Sequence, residues 1–448
     1  MKILLINASK DHNYSVLNHF LAKLNSTPNL VLQQLAAATP DKYKIKLLDD
    51  SIDPPDYNAD VDIVGISSLT AAAPRAYELA DEFRKHGKTV VLGGFHPAGM
   101  PDEAKKHADS VVVGEAENSW PELLKDYEKG RLKEFYKAKS PINPSDIPEP
   151  KREIIKYKTL FYPVVTSRGC PFNCAFCTIT HFYGKVYRPR PIENIIKEIK
   201  NIPRKFLIFI HDASLTIDSD YAKALFKALK PYKKKFYTWG SIPVVYKDEE
   251  LIKLSSEAGC VAWCFGFESI CQESIRKDAN KGYLVETYRD LVNKIHINGM
   301  NVYGSFVFGF DHDTPYIFDD TLETVYDYGI DGGEFDVLTP FPITRLFKKF
   351  QKEGRILTYD WSKYDLHHVV FQPKNMTPEE LFNGVKRISR EFYSPSNTIK
   401  RMARVTCQMK KLSNIVAVGA MNLTMTRFHN EYRYLKNVYS KEKKPVEK

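Results

Sequence analysis

The stretch Val165-Thr-Ser-Arg-Gly-Cys170-Pro-Phe-Asn-Cys174-Ala-Phe-Cys177 places three cysteines in one loop, directly after an apolar run that is typical of a β-strand. Three thiolates leave a metal site one protein ligand short of a closed zinc or iron–sulfur site, so another ligand must fill the remaining position. His181 follows soon after and could instead complete a zinc site with three cysteines and one histidine. The spacing alone therefore leaves an open iron–sulfur site and a closed zinc site as alternatives.

Beyond this loop, apolar strand-like runs alternate with amphipathic helical runs. Strands are predicted at 162–167, 206–211, 236–241, 261–268, 302–308 and 334–338, and helices at 192–202, 219–229, 248–258, 285–298 and 316–328. Repeated right-handed crossovers of this kind predict a partial (βα)6 barrel of the TIM type, with functional groups at the carboxyl ends of its strands. Because a small zinc site predicts no such barrel, the pattern favours the iron–sulfur interpretation.

The string Cys-x3-Cys-x2-Cys, with Phe176 before the last cysteine, resembles the cluster loop of the radical S-adenosylmethionine enzymes. In that family the cysteines hold three irons of a [4Fe–4S] cluster, and S-adenosylmethionine chelates the fourth. Electron transfer from the cluster then cleaves S-adenosylmethionine and releases a 5'-deoxyadenosyl radical. The resemblance implies that Cys170, Cys174 and Cys177 are the cluster ligands.

The same resemblance implies contacts with S-adenosylmethionine. Phe176 would lie by the adenine, and the ribose or methionine portion would be contacted by three strand-end residues: Asp212, Glu268 and Ser305. Asp212 and Glu268 could instead cap nearby backbone amides. His211 and His312 are candidate acids or bases, but a lone histidine is more often only hydrogen-bonded, so no catalytic residue is assigned.

Strand-like and amphipathic helical runs also alternate in the N-terminal part of the chain. Strands are predicted at 3–7, 45–48, 62–67, 89–94 and 110–114, and helices at 74–86 and 121–127. This pattern predicts a doubly wound, Rossmann-like parallel α/β sheet, which binds ligands beyond the carboxyl ends of its strands. At these strand ends, glycine lets a ligand approach the backbone closely, and polar side chains can form hydrogen bonds with it. Each of these residue types is, however, also common in ordinary loops. The strand ends carry Ser68, Thr70, Gly93, Gly94, His96, Gly114 and Glu115.

The segments Asp62-Ile-Val-Gly-Ile-Ser, Val91-Leu-Gly-Gly-Phe-His-Pro and Val113-Gly-Glu-Ala-Glu resemble the cobalamin-binding domain that precedes many radical S-adenosylmethionine barrels. The resemblance implies that the seven strand-end residues contact cobalamin. The Asp-x-His-x-x-Gly signature, which supplies a histidine to cobalt in methionine-synthase-type domains, is missing, as in many members of the radical branch. Cobalamin binding is expected, and a domain that has lost the cofactor is the alternative.

These patterns divide the chain into four parts. Residues 1–137 form the cobalamin-binding-like domain, 138–160 a proline-rich linker, 161–345 the radical S-adenosylmethionine barrel, and 346–448 a mainly helical basic region. In the last part, Thr377-Pro-Glu-Glu380 is a capping box that predicts a helix at 378–392. The stretch 338–368 resembles the barrel exit of cobalamin-dependent lipid and natural-product methylases, including hopanoid methylases, with Ile343 where relatives commonly have glycine.

Composition sets further bounds on the class of protein. The chain has 448 residues, 43% hydrophobic and 27% charged, which indicates two or three globular domains. No run is long and apolar enough for a membrane span, and no signal peptide is evident, so we expect a cytoplasmic protein whose seven cysteines form no disulfide framework. Cys260, Cys264 and Cys271 fit core positions better than a second cluster.

The formal net charge of +10 comes mainly from residues 400–448, which hold twelve Lys or Arg against three Glu. This segment could be a solvated face, or it could meet an anionic membrane or RNA. It also contains Met and Tyr residues that could cover the barrel or shape a lipid pocket, although helical core packing explains them equally well.

We expect a cobalamin-dependent methylase of an unreactive carbon on a lipid, isoprenoid or natural product, supplied with electrons by a reductant such as flavodoxin or ferredoxin. Peripheral membrane contact through the basic C-terminus is a further expectation, and a nucleic acid partner is not expected. The alternatives are radical cyclisation, coupling or rearrangement without methyl transfer, a zinc-containing RNA-binding protein, and a non-catalytic cobalamin sensor.

Overall fold

The computed structural model describes residues 1–10, 29–155, 159, 161–212 and 215–408, with residues 415, 419 and 422. Within these residues the strands are β1 (Lys2–Asn7), β2 (Lys44–Asp49), β3 (Ile63–Ser67), β4 (Thr89–Gly93), β5 (Ser110–Val113), β6 (Phe135–Lys137), β7 (Phe161–Val164), β8 (Ser167–Arg168), β9 (Arg188–Pro189), β10 (Leu207–Ile210), β11 (Lys235–Gly240), β12 (Cys260–Glu268), β13 (Asn301–Phe308) and β14 (Gly332–Val337). The α-helices are α1 (Leu30–Ala38), α2 (Ala73–Lys85), α3 (Phe95–Gly99), α4 (Pro101–His107), α5 (Ser119–Glu128), α6 (Thr178–Tyr183), α7 (Ile192–Lys200), α8 (Ser219–Leu229), α9 (Ile242–Lys247), α10 (Glu249–Ala258), α11 (Tyr288–Ile297), α12 (Ile317–Asp327), α13 (Arg345–Lys352), α14 (Pro378–Phe392) and α15 (Pro395–Gln408).

The N-terminal sheet has the strand order β2-β1-β3-β4-β5-β6, and every pair is parallel. Its central strands β1, β3 and β4 are rich in Ile, Val and Leu because helices cover both faces. One apolar core packs against Leu79 and Phe83 of α2, and the other against Trp120 of α5. The doubly wound sheet is confirmed. The sequence missed β6, a short edge strand in which only Tyr136 is buried.

The second sheet has the order β7-β10-β11-β12-β13-β14, again all parallel, with β7 and β14 at its edges. Side chains such as Ile208, Trp263 and Phe335 point towards the surrounding helices and join one large core. Because side chains alternate along a strand, the residues between them face the opposite, inner side of the curled sheet. The partial six-stranded barrel is therefore confirmed.

The described part of the connection from β6 to β7 contains two short 3-10 turns, Pro144–Asp146 and Arg152–Ile154. Beyond the barrel, the backbone of Ile343 packs against Gly99 of α3, where a Cβ would lie 3.0 Å from the Ile343 nitrogen. The side chain of Thr344 then caps α13 by accepting a hydrogen bond from the Phe347 amide at 3.2 Å. The residue that replaces the usual glycine thus lies where the barrel exit meets the N-terminal domain.

The capping box of α14 is confirmed. The Thr377 hydroxyl accepts from the Glu380 amide at 3.1 Å, and the Glu380 carboxylate accepts from the Thr377 amide at 2.7 Å. Most of the basic segment lies outside the described residues, including Met409, Met421, Met425, Tyr432, Tyr434 and Tyr439. No helix in the described part of the chain is long and apolar enough to cross a bilayer.

Candidate active site

A tight loop joins β8 to α6 and carries the three cysteines. It starts at Gly169, whose φ is +77° and where a Cβ would lie 2.0 Å from the carbonyl oxygen of Val186, so only glycine fits. The Cys170 amide then donates to the Gly184 carbonyl at 3.2 Å, across the turn made by the antiparallel pair β8–β9. Backbone contacts therefore fix the first cysteine before any ligand binds.

The three thiols of the loop are near enough to act electrostatically on one another. Cys170 and Cys174 are buried, and Cys177 is partly exposed. Burial raises the pKa of the Cys174 thiol to about 11 and also raises the pKa of Cys177, and neighbouring thiols of the loop add to both shifts. The Lys281 ammonium, by contrast, lowers the pKa of both thiols. Three adjacent thiols beside a cation form a donor set that fits a [4Fe–4S] cluster, which binds cysteines as thiolates.

His181 is not placed as a fourth ligand. Its Nδ1 lies 3.2 Å from the carbonyl oxygen of Cys177. Across the described ranges, no three His, Cys, Asp or Glu side chains are arranged to hold a single metal ion. A closed zinc site needs a fourth protein ligand beside the three thiols, and His181 is not placed as one, so the loop keeps an open position of the kind that a cluster with three cysteine ligands has.

Glu268 and Lys281 form an ion pair next to the cluster loop, and both side chains are largely buried. Glu268 has a φ of +60° and lies where β12 shifts register against β13. A left-handed conformation costs about 1–3 kcal/mol for a residue other than glycine and is concentrated at functional sites. The structure thus places Glu268 at the carboxyl end of β12, beside Cys174, and its contact with S-adenosylmethionine stays a prediction.

Asp212 lies at the carboxyl end of β10 and is buried. It accepts hydrogen bonds from the hydroxyls of Thr166 and Ser167, the latter at 2.7 Å. Because these two residues lead into the cluster loop, Asp212 fixes the start of that loop to the neighbouring strand. Its carboxylate binds two side-chain hydroxyls within the chain. A contact between Asp212 and S-adenosylmethionine stays a prediction.

The other sequence-predicted residues of the barrel are spread around its mouth. The Phe176 ring lies 6.0 Å from that of Phe310, and Ser305 faces inward opposite Gly266 in the β12–β13 register. Whether Phe176 and Ser305 contact S-adenosylmethionine stays a prediction. The two candidate histidines are engaged: His211 stacks on Phe209 at 4.7 Å, and Nδ1 of His312 lies 2.8 Å from Asp278.

Two carboxyl groups on the inner face of β14 were missed by the sequence reasoning. Glu334 and Asp336 alternate with the core residues Phe335 and Val337, so both point into the barrel. Burial raises the pKa of each carboxyl group, and the pKa of Asp336 is raised further by the nearby Glu334, Glu268 and Asp365 carboxylates. These groups are therefore held protonated more readily than ordinary carboxyls and can donate hydrogen bonds to a ligand. The polar–apolar alternation Glu334-Phe-Asp336-Val was the available signal.

At the carboxyl edge of the N-terminal sheet, the loops after β3 and β4 touch. Gly94 has a φ of +104°, and a Cβ there would lie 2.7 Å from the Ser68 carbonyl oxygen, which accepts from the His96 amide at 3.3 Å. The Ser68 hydroxyl and Nδ1 of His96 are buried without a hydrogen-bond partner among the described residues. Buried polar groups normally have hydrogen-bond partners, so these two unpaired atoms fit a cofactor bound at this edge of the sheet.

The remaining residues predicted to contact cobalamin line the same edge. Gly93 ends β4, Thr70 begins a short turn that packs against Trp361–Lys363, and Gly114 has a φ of +88° with open space around its Cα. The ring of His96 is anchored from its other nitrogen, because Nε2 lies 3.0 Å from the Tyr77 hydroxyl. The structure brings these residues together, and their individual contacts with cobalamin stay predictions.

Glu115 has a role that the sequence did not suggest. Its carboxylate accepts from Arg168 at 2.8 Å, from Arg188 at 3.0 Å and from the Ile142 amide at 3.2 Å. Arg168 lies two residues before Cys170, so this carboxylate joins the N-terminal sheet to the cluster loop. Both of its oxygens are already hydrogen-bonded within the chain, and a further contact with cobalamin stays a prediction. The sequence reasoning missed Arg168, because nothing local distinguishes it from a surface arginine.

Family models match three parts of the chain. The Radical SAM superfamily matches residues 164–325, which include the cysteine loop and most of the barrel. The B12 binding domain matches residues 24–124, within the N-terminal sheet. A domain of unknown function (DUF4070) matches residues 344–438.

Solved structures share the fold over nearly the whole chain. TsrM from Kitasatospora setae, a radical S-adenosylmethionine methyltransferase with cobalamin and a [4Fe–4S] cluster bound, gives a TM-score of 0.68 at 14% identity, covering 97% of this chain and 99% of that one. The cobalamin-dependent S-adenosylmethionine radical enzyme OxsB gives a TM-score of 0.65 at 16% identity, covering 96% of this chain and 72% of that one.

Two curated relatives come from Chlorobaculum tepidum. Bacteriochlorophyllide d C-8(2)-methyltransferase is 33% identical over 84% of this chain and 90% of its own length. Bacteriochlorophyllide d C-12(1)-methyltransferase is 32% identical over 82% of this chain and 80% of its own length. With its cysteine loop, partial barrel and B12 binding domain, the chain belongs to the cobalamin-dependent radical S-adenosylmethionine methyltransferases, which use a [4Fe–4S] cluster, S-adenosylmethionine and cobalamin.

Proposed function

We propose that Cys170, Cys174 and Cys177 hold the [4Fe–4S] cluster and that the enzyme methylates an unactivated carbon of a natural product bound inside the partial barrel. The observation that carries this proposal is the position of the three adjacent thiols. They follow the first barrel strand, beside an inner face that bears both aromatic and polar side chains. Such a site would hold a bound substrate next to the cysteine loop and exclude solvent from between them.

When bound, the cluster with S-adenosylmethionine supplies a carbon radical that takes hydrogen from the substrate, and cobalamin supplies the methyl group. The chain's own residues position these groups and exclude water. Lys281 places a positive charge beside Cys174 and is itself paired with Glu268, so the pair adds no net charge to the site. Asp212 anchors the start of the cluster loop through Thr166 and Ser167.

The inner face of the barrel suggests the class of substrate. Phe209 and Tyr237 are stacked at 4.4 Å with ring planes 10° apart, and Trp239 follows on the same face of β11. Burial raises the pKa of Glu334 and of Asp336, and in their protonated forms both carboxyl groups can donate hydrogen bonds to carbonyl oxygens. We therefore favour a flat, conjugated substrate that carries hydrogen-bond acceptors. The relatives named for bacteriochlorophyllide d make a chlorin-type macrocycle the first candidate.

The metal content of protein purified without oxygen, from cells supplied with cobalamin, tests the cofactor assignment. We expect about four irons and one cobalt per chain. Zinc in place of iron would overturn the assignment of the cysteines. Iron without cobalt would mean that the N-terminal domain does not retain its cofactor.

Product analysis tests the reaction. The loaded enzyme is supplied with S-adenosylmethionine, a reduced flavodoxin or ferredoxin, and bacteriochlorophyllide d as the probe substrate. A product heavier by one CH2, formed together with 5'-deoxyadenosine, is the expected result. A product without the added CH2 would instead indicate cyclisation, coupling or rearrangement. A cyclase reaction is named for the anaerobic magnesium-protoporphyrin IX monomethyl ester cyclase of Cereibacter sphaeroides, which is 26% identical over 73% of this chain and 60% of its own length.

A further inference from the structure

Arg168 lies at the meeting point of the two sheets. It is the last residue of β8, and only Gly169 separates it from the first cysteine of the cluster loop. Its guanidinium donates to Glu115 at 2.8 Å and to Glu117, both on the loop that follows β5 of the N-terminal sheet. A third contact, at 3.4 Å, reaches Gln34 of α1. The side chain of one barrel residue is thus bound by three residues of the other domain.

The network is built from buried charges. The exposed fractions of the side chains are 6% for Arg168, 5% for Glu115 and 10% for Glu117. A buried ion is costly unless paired, and breaking such a pair leaves an uncompensated charge. The planar guanidinium is suited to this position, because its fork of donors serves two carboxylates at once, which a lysine ammonium does less well.

The network also reaches the far side of the cluster loop and the interdomain connection. The Arg168 guanidinium lies 5.3 Å from the centre of the Tyr183 ring, on the helix that begins directly after Cys177. Arg188 donates both to Glu115 at 3.0 Å and to the carbonyl of Ile142, in the connection, at 2.7 Å. Arg168, just before the cluster loop, and Arg188, beyond the helix that follows it, both therefore contact residues outside the barrel, namely Glu115 of the N-terminal domain and, for Arg188, Ile142 of the connection.

On the N-terminal side, Glu115 follows Gly114 on the edge where Ser68 and His96 present their unpaired polar atoms. We propose that Arg168 is a positioning residue that couples this cobalamin edge to the cluster loop, so that the ion network sets the separation of the two cofactors. This inference rests on the proposed cofactor sites. It assigns to Arg168 no contact with substrate, cluster or cobalamin.

The test compares Arg168→Gln and Arg168→Lys with the wild-type holoenzyme. Hydroxocobalamin is the probe for cobalamin affinity, and iron per chain and 5'-deoxyadenosine release report on the cluster. For Arg168→Gln we expect the Kd for hydroxocobalamin to rise about tenfold, within the ~5–150-fold range typical of coupling between sites. Iron content and 5'-deoxyadenosine release should stay near wild type, because Gly169 and the Cys170–Gly184 contact still hold the loop. Arg168→Lys should recover part of the affinity.

The magnetic coupling between cob(II)alamin and the reduced cluster gives a direct readout of their separation. Wild type should give one defined coupling, and Arg168→Gln a weaker or broader one. If Arg168→Gln binds hydroxocobalamin as wild type does and keeps the wild-type coupling, the inference is wrong. If wild type itself lacks iron or cobalamin, the proposed cofactor sites fail instead, so the two failures are distinguishable.

Two further variants separate coupling from general destabilisation. Arg355→Gln removes another largely buried arginine, which pairs with Asp311 at 2.8 Å and takes no part in the Arg168 network, so hydroxocobalamin affinity should not change. Glu117→Gln keeps the Arg168–Glu115 pair, so it should weaken hydroxocobalamin affinity less than Arg168→Gln does. It also provides a milder variant that should fold even if Arg168→Gln is unstable. Equal losses of iron and cobalamin in Arg168→Gln, Glu117→Gln and Arg355→Gln would show that Arg168 only supports the fold.

Discussion

The Nη1 atom of Arg168 lies 2.8 Å from Oε1 of Glu115, and this ion pair joins the loop that carries the three cysteines to the carboxyl edge of the N-terminal sheet. From the sequence, Glu115 was expected to contact cobalamin and Arg168 had no role. The structure shows a shared network in which Arg188 and Glu117 also take part, and the contact of Glu115 with cobalamin stays a prediction. Two sites on separate domains are thus connected by buried charges, which hold a fixed geometry better than a flexible connection does.

Removal of a cysteine thiol should abolish the cluster. Cys174→Ala deletes one of three adjacent thiols, and a cluster with two protein ligands is expected to be lost. Iron content should fall to near zero, and 5'-deoxyadenosine should no longer form, whereas the circular dichroism spectrum should resemble that of wild type.

The matched control for that variant is Cys407→Ser, because Cys407 is exposed and lies on α15. Its iron content should equal that of wild type. Retention of iron and of 5'-deoxyadenosine formation in Cys174→Ala would contradict the assignment of the cluster ligands.

The Asp336 carboxyl group should act in its protonated form. Burial raises its pKa well above the usual value, and the nearby Glu334 carboxyl raises it further, so the proton is held at low pH and lost as the pH rises through that pKa. Product formation by wild type should therefore decline on the alkaline side. Asp336→Asn cannot ionise, so it should keep activity within about threefold of wild type and lose this decline.

Asp336→Leu removes the hydrogen-bonding group and is the informative contrast. We expect kcat/KM to fall by roughly 5- to 150-fold, corresponding to ~1–3 kcal/mol for a ligand group left unpaired. 5'-Deoxyadenosine release without substrate should be unaffected. If Asp336→Asn were as inactive as Asp336→Leu, the group would be needed as a carboxylate.

Asp311 should stabilise the folded chain at neutral pH. It pairs with Arg355 at 2.8 Å and with Lys349 and Lys374 at 2.9 Å, and these cations hold its pKa below the usual range despite partial burial. A lowered folded-state pKa gives stability that is present above the unfolded value, near 4, and is lost as the pH falls below it. Asp311→Asn should therefore lower the free energy of unfolding by about 3–5 kcal/mol at pH 7.

Denaturant titrations at several pH values check this dependence. The difference between Asp311→Asn and wild type should shrink as the pH falls below about 4, where the Asp311 carboxyl group of the unfolded wild-type chain begins to take up its proton while that of the folded chain stays ionised. A difference that stayed constant between pH 7 and pH 3 would show that shape, and not charge, is what the residue contributes.

Gly169 should not tolerate a side chain. Its φ is +77°, and a Cβ would meet the Val186 carbonyl oxygen at 2.0 Å, a backbone atom that cannot move aside cheaply. Gly169→Ala should displace the start of the cluster loop and reduce iron binding several-fold. Iron content after anaerobic reconstitution is the measurement.

The comparison for Gly169→Ala is Gly282→Ala, because Gly282 has an ordinary φ and no atom near its Cβ position. That variant should bind iron as wild type does and change the free energy of unfolding by no more than about 1 kcal/mol. Wild-type iron content in Gly169→Ala would show that the loop accommodates the methyl group by a shift not expected from its contacts.

Local patterns were sufficient to predict most elements of the chain. The six barrel strands and the doubly wound sheet follow from short apolar runs that alternate with amphipathic helices, and the capping box of α14 follows from Thr377 and Glu380 alone. The strand β6 escaped prediction because three residues with one buried side chain carry almost no hydrophobic pattern. Glu334 and Asp336 escaped because acidic residues near a strand end usually face solvent.

The sequence by itself determined the cysteine loop and the two α/β units, because these depend on spacing and periodicity within short segments, and its resemblance to a known family indicated the kind of cofactors that they take. Only the tertiary structure decided which groups meet: Arg168 with Glu115, Asp212 with Ser167, and Lys281 with Glu268. The physical reason is that an ion pair or a buried hydrogen bond depends on distance in space. Residues 53 positions apart, as in the Arg168–Glu115 pair, come within 2.8 Å only after both sheets have folded and packed together.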